Sequence, residues 1–548
     1  MKSSIISAAV KYYHTVKHLK FIQMVGQLSF RFRKIKPNLA LPPTRRNPSS
    51  QWAAAILKSP QPSIPNKLVF LNQEKAVSDH SIWGDANIDK LWLYHLHYHD
   101  VIHSCDGINE ALSNAFIHRW IKENPPAVGC GWEPYPISLR IVNWIKWILQ
   151  GHEASAEMLH SLAIQSRYLC KRLEIHLLGN HILANAKALL FSGVFFEGKE
   201  AQYWFKKGLK LFNKELAEQI LPDGGHFELS PMYHCIILED ILDVINLFKT
   251  YRKPVPTEWI MNCEKMFSWL HHMCHLDGDI SFFNDAALGM APTLEAIKQY
   301  QERLSLNQKL PKQQSLMHLV DSGYCRIQRE NILLLTDIGN IGASYQPGHG
   351  HADTLSFELS LAKQRIIVNS GTSCYAENAE RLRQRGSKAH NTLVVDDHNS
   401  SAIWKSFRVA KRAKIHDLII NESKEKTVIS ACHDGYYSIG KIVHTRTWTV
   451  MNHAITIEDE VSGHGFHKIG LFFHLHPEIK MTQESDTIIK LYDLSHHYLA
   501  TFELNHPMRI VDSTYHPRFN VSIPNKMILA EIYQHMPVHL QTSIKFNW

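Results

Sequence analysis

The hydrophobic period of this sequence changes partway along, and that change limits the fold more than any other feature. From about Trp83 to about Leu310, apolar residues recur at three- and four-residue spacings. Residues 135–150 place Ile137, Ile141, Trp144, Ile145 and Ile148 on one stripe and leave Arg140 and Lys146 off it. Residues 201–220 repeat this with Trp204, Leu209, Phe212, Leu216 and Ile220, and residues 232–249 with Ile236, Ile237, Ile241, Val244 and Leu247. Short Gly/Pro/Asp loops such as Pro222–Gly225 separate the stripes, which predicts a large helical layer. After about Asp321 the pattern becomes short runs, many β-branched or aromatic, broken by Gly, Asn or Asp. They are Asn331–Asp337, Thr354–Ser360, Arg365–Asn369, Thr392–Val395, Val428–Ala431, Thr445–Met451, Ala454–Ile457 and Lys468–Leu475. Such runs predict a sandwich or a related double-sheet fold. The expected architecture is multidomain, α then β, with a helical domain over 81–315 and a β domain over 316–548. Residues 1–80 read as a short basic helix and an irregular arm, with prolines at 37, 42, 43, 60, 62 and 65.

Composition removes several classes. An apolar share of 45% with 20% charged residues fits a globular chain. No run of about 18 uncharged apolar residues is present, so a transmembrane segment is not expected. Nine cysteines form no CxxC pair, which points to reduced thiols and away from a disulfide framework. Ile5–Val10 is only a fragment of a leader's apolar core, interrupted by Lys11. The formal charge is +8, with 36 histidines counted as neutral. Basic runs lie at Arg31–Lys36, Arg45–Arg46, Arg381–Lys388 and Lys405–Lys414; each is a solvated face or part of a polyanion-facing groove.

Four segments gather titratable and amide side chains beside glycine or proline. Asn180 and His181 open a helix, where an Asn is often only a cap. In Leu221–His234, Ser230-Pro231 starts a helix and puts Tyr233 and His234 in its first turn. Helix amides there favour a tyrosinate; a buried Tyr with a satisfied hydroxyl is the plainer reading. His349 and His351 are two apart and would point to one side of an extended segment, a weak metal spacing on its own. His390 leads into a strand, with Asn369 between the pairs. The other clusters (His95, His97 and His99; His271, His272 and His275; His474 and His476) are better explained by hydrogen bonding. No P-loop, GxGxxG after a strand, HExxH or GxSxG occurs.

Seven motifs, in this order, resemble the heparinase II/III family of polysaccharide lyases. They are LHYHD (96–100), WEPYPISLRIVNW (132–144), LGNHILANAKAL (178–189), ILPDGGHFELSPMYH (220–234), GHGHAD (348–353), NSGTS (369–373) and AHNTLVVD (389–396). The resemblance implies an incomplete (α/α) toroid followed by an antiparallel β-sandwich. It also implies cleavage of a uronate-containing polysaccharide by β-elimination. The chemistry needs a neutraliser for the uronate carboxylate, a base for the C5 proton and an acid for the leaving O4. Matching motifs imply Asn180 and His349 as neutralisers, His181 or Tyr233 as base, and Tyr233 as acid. A tyrosine with its ordinary pKa of about 10 is a poor base, so cationic neighbours such as His234 or Arg385 are expected to lower it. Trp132, Tyr135, His234 and Arg385 are the substrate-binding candidates. The family's structural zinc would fall on His351, Asn369 and His390. Family members usually carry Asp at the middle position, and a neutral amide is a weaker zinc ligand, so a hydrogen-bonded His/Asn cluster is the alternative. Family members are typically periplasmic or exported. The partner implied is an acidic polysaccharide.

Two other readings remain at this point. The groove could bind or help assemble an acidic exopolysaccharide without cutting it. A glycoside hydrolase would need two facing carboxylates, for which Asp223 and Glu228 are available. Nucleic acid is the least supported partner, because no recognition motif accompanies the modest charge.

Overall fold

The computed structural model describes residues 2–58, 66–104, 110–306 and 314–547. Its helices are α1 (Lys2–Val16), α2 (Phe21–Phe32), α3 (Lys90–Tyr98), α4 (Glu110–Glu123), α5 (Pro134–Leu149), α6 (Ala156–Lys171), α7 (Gly179–Phe195), α8 (Gly198–Gln219), α9 (Pro231–Thr250), α10 (Thr257–Met273), α11 (Leu294–Arg303) and α12 (Ala379–Arg385). Helices α3 to α11 form the helical layer, and α12 lies within the β part. None of these helices is long and apolar enough to cross a membrane.

The layer is organised around α7, which packs on α5, α6, α8 and α9. Every residue of α7 except His181 is buried. A helix that is apolar nearly all round has to be enclosed by others. Gly193 and Gly208 permit the contact with α8: a Cβ on Gly193 would lie 2.4 Å from the Phe205 backbone nitrogen.

The N-terminal region departs from the expected short basic helix and irregular arm. It contains two helices, and the segment after them is a strap fastened to the helical layer. Arg46 N donates to Phe195 O (2.7 Å), and Ser49 and Ser50 donate from their backbones to Thr250 O. These acceptors lie at the C-terminal ends of α7 and α9, where helix carbonyls lack intrahelical partners. Trp52, Ala55 and Ile56 then enter the helical core. Pro60, Pro62 and Pro65 lie outside the described residues.

The β part is antiparallel throughout its main sheets. A five-stranded meander runs in chain order from Leu316–Leu319 to Gln364–Ile367. An eight-stranded sheet and a four-stranded sheet share one core that includes Trp448, Leu471, Phe473 and Phe502. The segments expected as strands fall on strands, with ends shifted by a few residues. The helical and β parts meet through a separate apolar cluster: Leu229, Trp269 and Phe283 from one side, Leu319, Tyr324 and Leu335 from the other. Helices α1 and α2 bridge the two parts as well. Lys20 pairs with Glu218 and lies 3.9 Å over the Tyr345 ring, while Trp404 Nε1 donates to Thr15 Oγ1 (3.1 Å).

Candidate active site

The first turn of α7 begins from an unusual backbone. Leu178 (φ 61°) and Gly179 (φ 58°) both lie in the left-handed half of backbone space, which is uncommon for leucine. A Cβ on Gly179 would lie 2.6 Å from Glu228 Oε1, so glycine is required for the close approach. Glu228 accepts from Asn180 Nδ2 at both oxygens (3.1 and 2.9 Å) and from Asn180 N (3.3 Å). The carboxylate thus sits at the positive end of α7. His181, one residue on, places Nδ1 3.1 Å from Glu174 Oε1 and its ring 4.6 Å from Tyr135. Burial opposes the His181 cation, but Glu174, through its charge and its hydrogen bond, together with Glu228 and Glu133 outweighs it and the pKa is raised.

Ser230 caps α9 by accepting from Tyr233 N (3.2 Å), and Pro231 fixes the first helical residue. The Tyr233 hydroxyl is 3.1 Å from that of Tyr375, and its ring lies 3.9 Å from the His349 ring. Burial raises the Tyr233 pKa, and the Tyr375 hydrogen bond offsets only part of this. The expected lowering by His234 or Arg385 is therefore corrected: the Tyr233 pKa is raised, and the cation that works against the rise is Arg381.

His349 enters from the β side. Its Nδ1 is 2.8 Å from Asp285 Oδ2 and its Nε2 is 3.8 Å from Glu228 Oε2. Asp285 also accepts from both terminal nitrogens of Arg381, one at 2.6 Å, and lies 2.9 Å from His351 Nε2. Burial alone would raise the Asp285 pKa; Arg381 and the two histidines hold it well below the usual carboxylate range. His349 and His351 do converge, as their spacing suggested, but on one carboxylate.

Asn180, His181, Tyr233, His349 and Tyr135 all line one cavity of about 1190 Å³ between the two parts. Arg408 and Arg412, from the basic run Lys405–Lys414, line it too, and so do residues of α1 and α2. Three substrate-binding expectations are corrected. His234 is fully buried, stacked 4.4 Å from Trp269, with Nε2 on Met266 O (2.9 Å) and burial pulling its pKa to about 3. Arg385 is fully buried and donates to Gly350 O and Ser406 O, so it holds the His349 loop from behind. Trp132 packs on Trp120 and Tyr168 in the helical core.

The zinc expectation also meets an unsuitable arrangement. His390 Nδ1 bonds Asn369 Oδ1 (3.0 Å), while its Nε2 faces His351 Nδ1 (3.2 Å). The three are in contact but form a chain in which opposite nitrogens of His390 are used. They do not converge on one point, as a tetrahedral zinc requires. Among the described residues no group of three or more His, Cys, Asp or Glu is placed to hold a metal. Nor do Asp223 and Glu228 face each other across the cavity: Asp223 accepts from Ser322 N (2.7 Å) and Gly225 N (2.9 Å) outside it.

Glu174, Asp285, Arg381 and Tyr375 were not anticipated. Asp285 carried a sequence signal as an acid inside the mostly apolar stretch Ile280–Leu288, and Arg381 only as the start of the basic run Arg381–Lys388, whose Arg381 and Arg385 are buried instead of facing solvent or a groove.

The family described as Heparinase II/III N-terminus matches residues 92–313, and that described as Heparinase II/III-like, C-terminal matches residues 311–544. A heparin-sulfate lyase of Bacteroides stercoris is 28% identical over 245 residues, which is 40% of this chain and 36% of the relative. FtsZ-localized protein C of Caulobacter vibrioides is 24% identical over 361 residues, 60% of this chain and 58% of the relative. The match thus spans under two thirds of either relative. A crystal structure of heparinase III superposes with a TM-score of 0.67 at 17% identity, over 82% of this chain and 75% of that one. At that identity the likeness is one of fold, a helical toroid followed by an antiparallel sandwich. With the two family matches running from residue 92 to residue 544, the chain belongs to the heparinase II/III family.

Proposed function

We propose that this protein is a polysaccharide lyase. Its substrate would be a uronate-containing acidic polysaccharide of the glycosaminoglycan kind, cut by β-elimination. The observation that carries this reading is the meeting of Asn180, His181, Tyr233 and His349 on one cavity lined by both halves of the chain. The base removes the C5 proton, the C4–O4 bond breaks, a C4=C5 double bond forms, and the acid protonates O4. Tyr233 suits the acid role, because burial keeps its hydroxyl protonated. His181 suits charge neutralisation while protonated, a state that Glu174 favours, and it becomes a base once deprotonated. Asn180 and His349 flank Glu228, so an incoming carboxylate would bind beside an existing one. Arg408 and Arg412 at the cavity fit an anionic polymer.

The test is a panel of purified uronate polymers, followed by ultraviolet absorbance of the unsaturated end. On an accepted polymer, Tyr233→Phe and His349→Ala should each lower turnover by roughly 10²- to 10⁴-fold. Full turnover in both variants would reject this site. Binding without cleavage is a second reading, favoured by the long match to a relative whose printed name is not that of a lyase. A polymer that binds but keeps its chain length supports it.

A further inference from the structure

The positive charge of the chain is concentrated at one end. Residues 1–73 hold twelve of the 59 Lys and Arg and none of the 51 Asp and Glu, which leaves residues 74–548 with 47 against 51. The same region is unusually apolar on its outside. Among the described residues, twelve exposed large apolar side chains fall between Val10 and Leu41.

Helix α2 is oriented opposite to a helix that only packs on its own protein. Toward the body it presents Gln23, Gly26 and Phe30. Gln23 is 4% exposed and donates to Tyr345 O (3.4 Å); a Cβ on Gly26 would lie 3.0 Å from His176 N; Phe30 stacks on His176 at 4.1 Å. Away from the body it presents Phe21 (76% exposed), Val25 (46%), Leu28 (62%) and Phe32 (74%). These four are spaced by four, three and four residues, so they form a single stripe. Exposed Lys11, Lys17, Arg31, Arg33, Lys34 and Lys36 flank it. A contiguous apolar stripe in water calls for a partner.

We propose that α1 and α2 form a docking patch for an anionic membrane surface, with the stripe of α2 lying in the plane of the headgroups. The charge pattern selects this occupant. A second copy docked patch to patch would bring together two segments with no carboxylate to offset their cations. An acidic polymer would engage the cations but gain little from Val25 and Leu28, which offer neither a hydrogen bond nor a flat ring. An anionic bilayer takes both: aliphatic and phenyl groups at the acyl boundary, Lys and Arg among the headgroups. Val16, Met24 and Leu28 belong to the patch and also line the cavity, so docking brings the cavity mouth to the bilayer.

The full chain should cosediment with vesicles of equal parts phosphatidylcholine and phosphatidylglycerol. Binding should fall about tenfold or more on phosphatidylcholine alone, and also as salt is raised. The double variant Phe21→Ser/Phe32→Ser should weaken binding by about tenfold or more with the unfolding midpoint unchanged, because both rings are exposed and neither lines the cavity. Equal binding to neutral vesicles, or none to either, overturns the proposal. So does a lipid-free dimer that the double variant dissociates, or a uronate polymer whose binding, and not that of vesicles, depends on the two phenylalanines.

Discussion

Two layers of the molecule both carry histidines and differ in what surrounds them. The cavity wall holds Asn180, His181, Tyr233 and His349; the layer behind it holds His234, Arg385, His351, His390 and Trp132. His181 in the wall keeps part of its ring accessible and has a carboxylate beside it, so its cation is favoured. His234 behind it is sealed among apolar groups and backbone, so its neutral form is favoured. Environment, and not residue type, separates a group able to exchange charge with a substrate from one that holds the frame. Asp285 joins the layers, since it receives His349 from the wall and His351 and Arg381 from behind.

The sharpest way to break this distinction is Arg381→Met. It leaves Asp285 buried without its counterion, and stability should fall by about 3–5 kcal/mol in urea unfolding. A loss below about 1 kcal/mol would mean that the back layer is not the frame. A smaller effect of opposite sign in the two layers comes from pH. The raised His181 pKa contributes stability below about pH 6.5 that is lost as pH rises through the folded-state value. The depressed His234 pKa contributes stability above about pH 6.5 that is lost as pH falls toward about 3. Glu174→Gln should lower the His181 pKa, because burial then acts with less opposition; ring-proton NMR titration reads this directly. An unmoved titration would remove Glu174 from the wall. The smallest effect is expected for Trp132→Phe, which retains a ring against Trp120 and loses one indole bond to Asn124 O, about 1 kcal/mol with KM unchanged. A raised KM would return Trp132 to the sugar path.

Much of the fold was legible because hydrophobic period reports local geometry. The stripes at 135–150, 201–220 and 232–249 became α5, α8 and α9. The wall residues were reachable through motif order, which preserves chemistry when overall identity is low. His234 and Trp132 were misplaced for a physical reason. They lie within the same motifs as Tyr233 and Tyr135, and only tertiary packing decides which neighbour faces the cavity. Arg381 and Tyr375 act across 96 and 142 residues, which no local pattern carries; Glu174 is only 7 residues from His181 but sits before α7, outside its helical period. At the N-terminus one short helix was expected and two are present; that α2 turns its apolar stripe outward was not legible, because periodicity reports a stripe and not the direction it faces.

The Asp285 junction has a consequence for the order in which the protein is made. Each of its charged or titratable partners, His349, His351 and Arg381, leaves the ribosome later, the last 96 residues later. At about 5–20 residues per second this is an interval of roughly 5–20 s. During that time the carboxylate has no counterion and must stay hydrated, which keeps the segment around it from closing into the helical layer. The segment around Asp285 therefore completes its packing only once Arg381 has been synthesised.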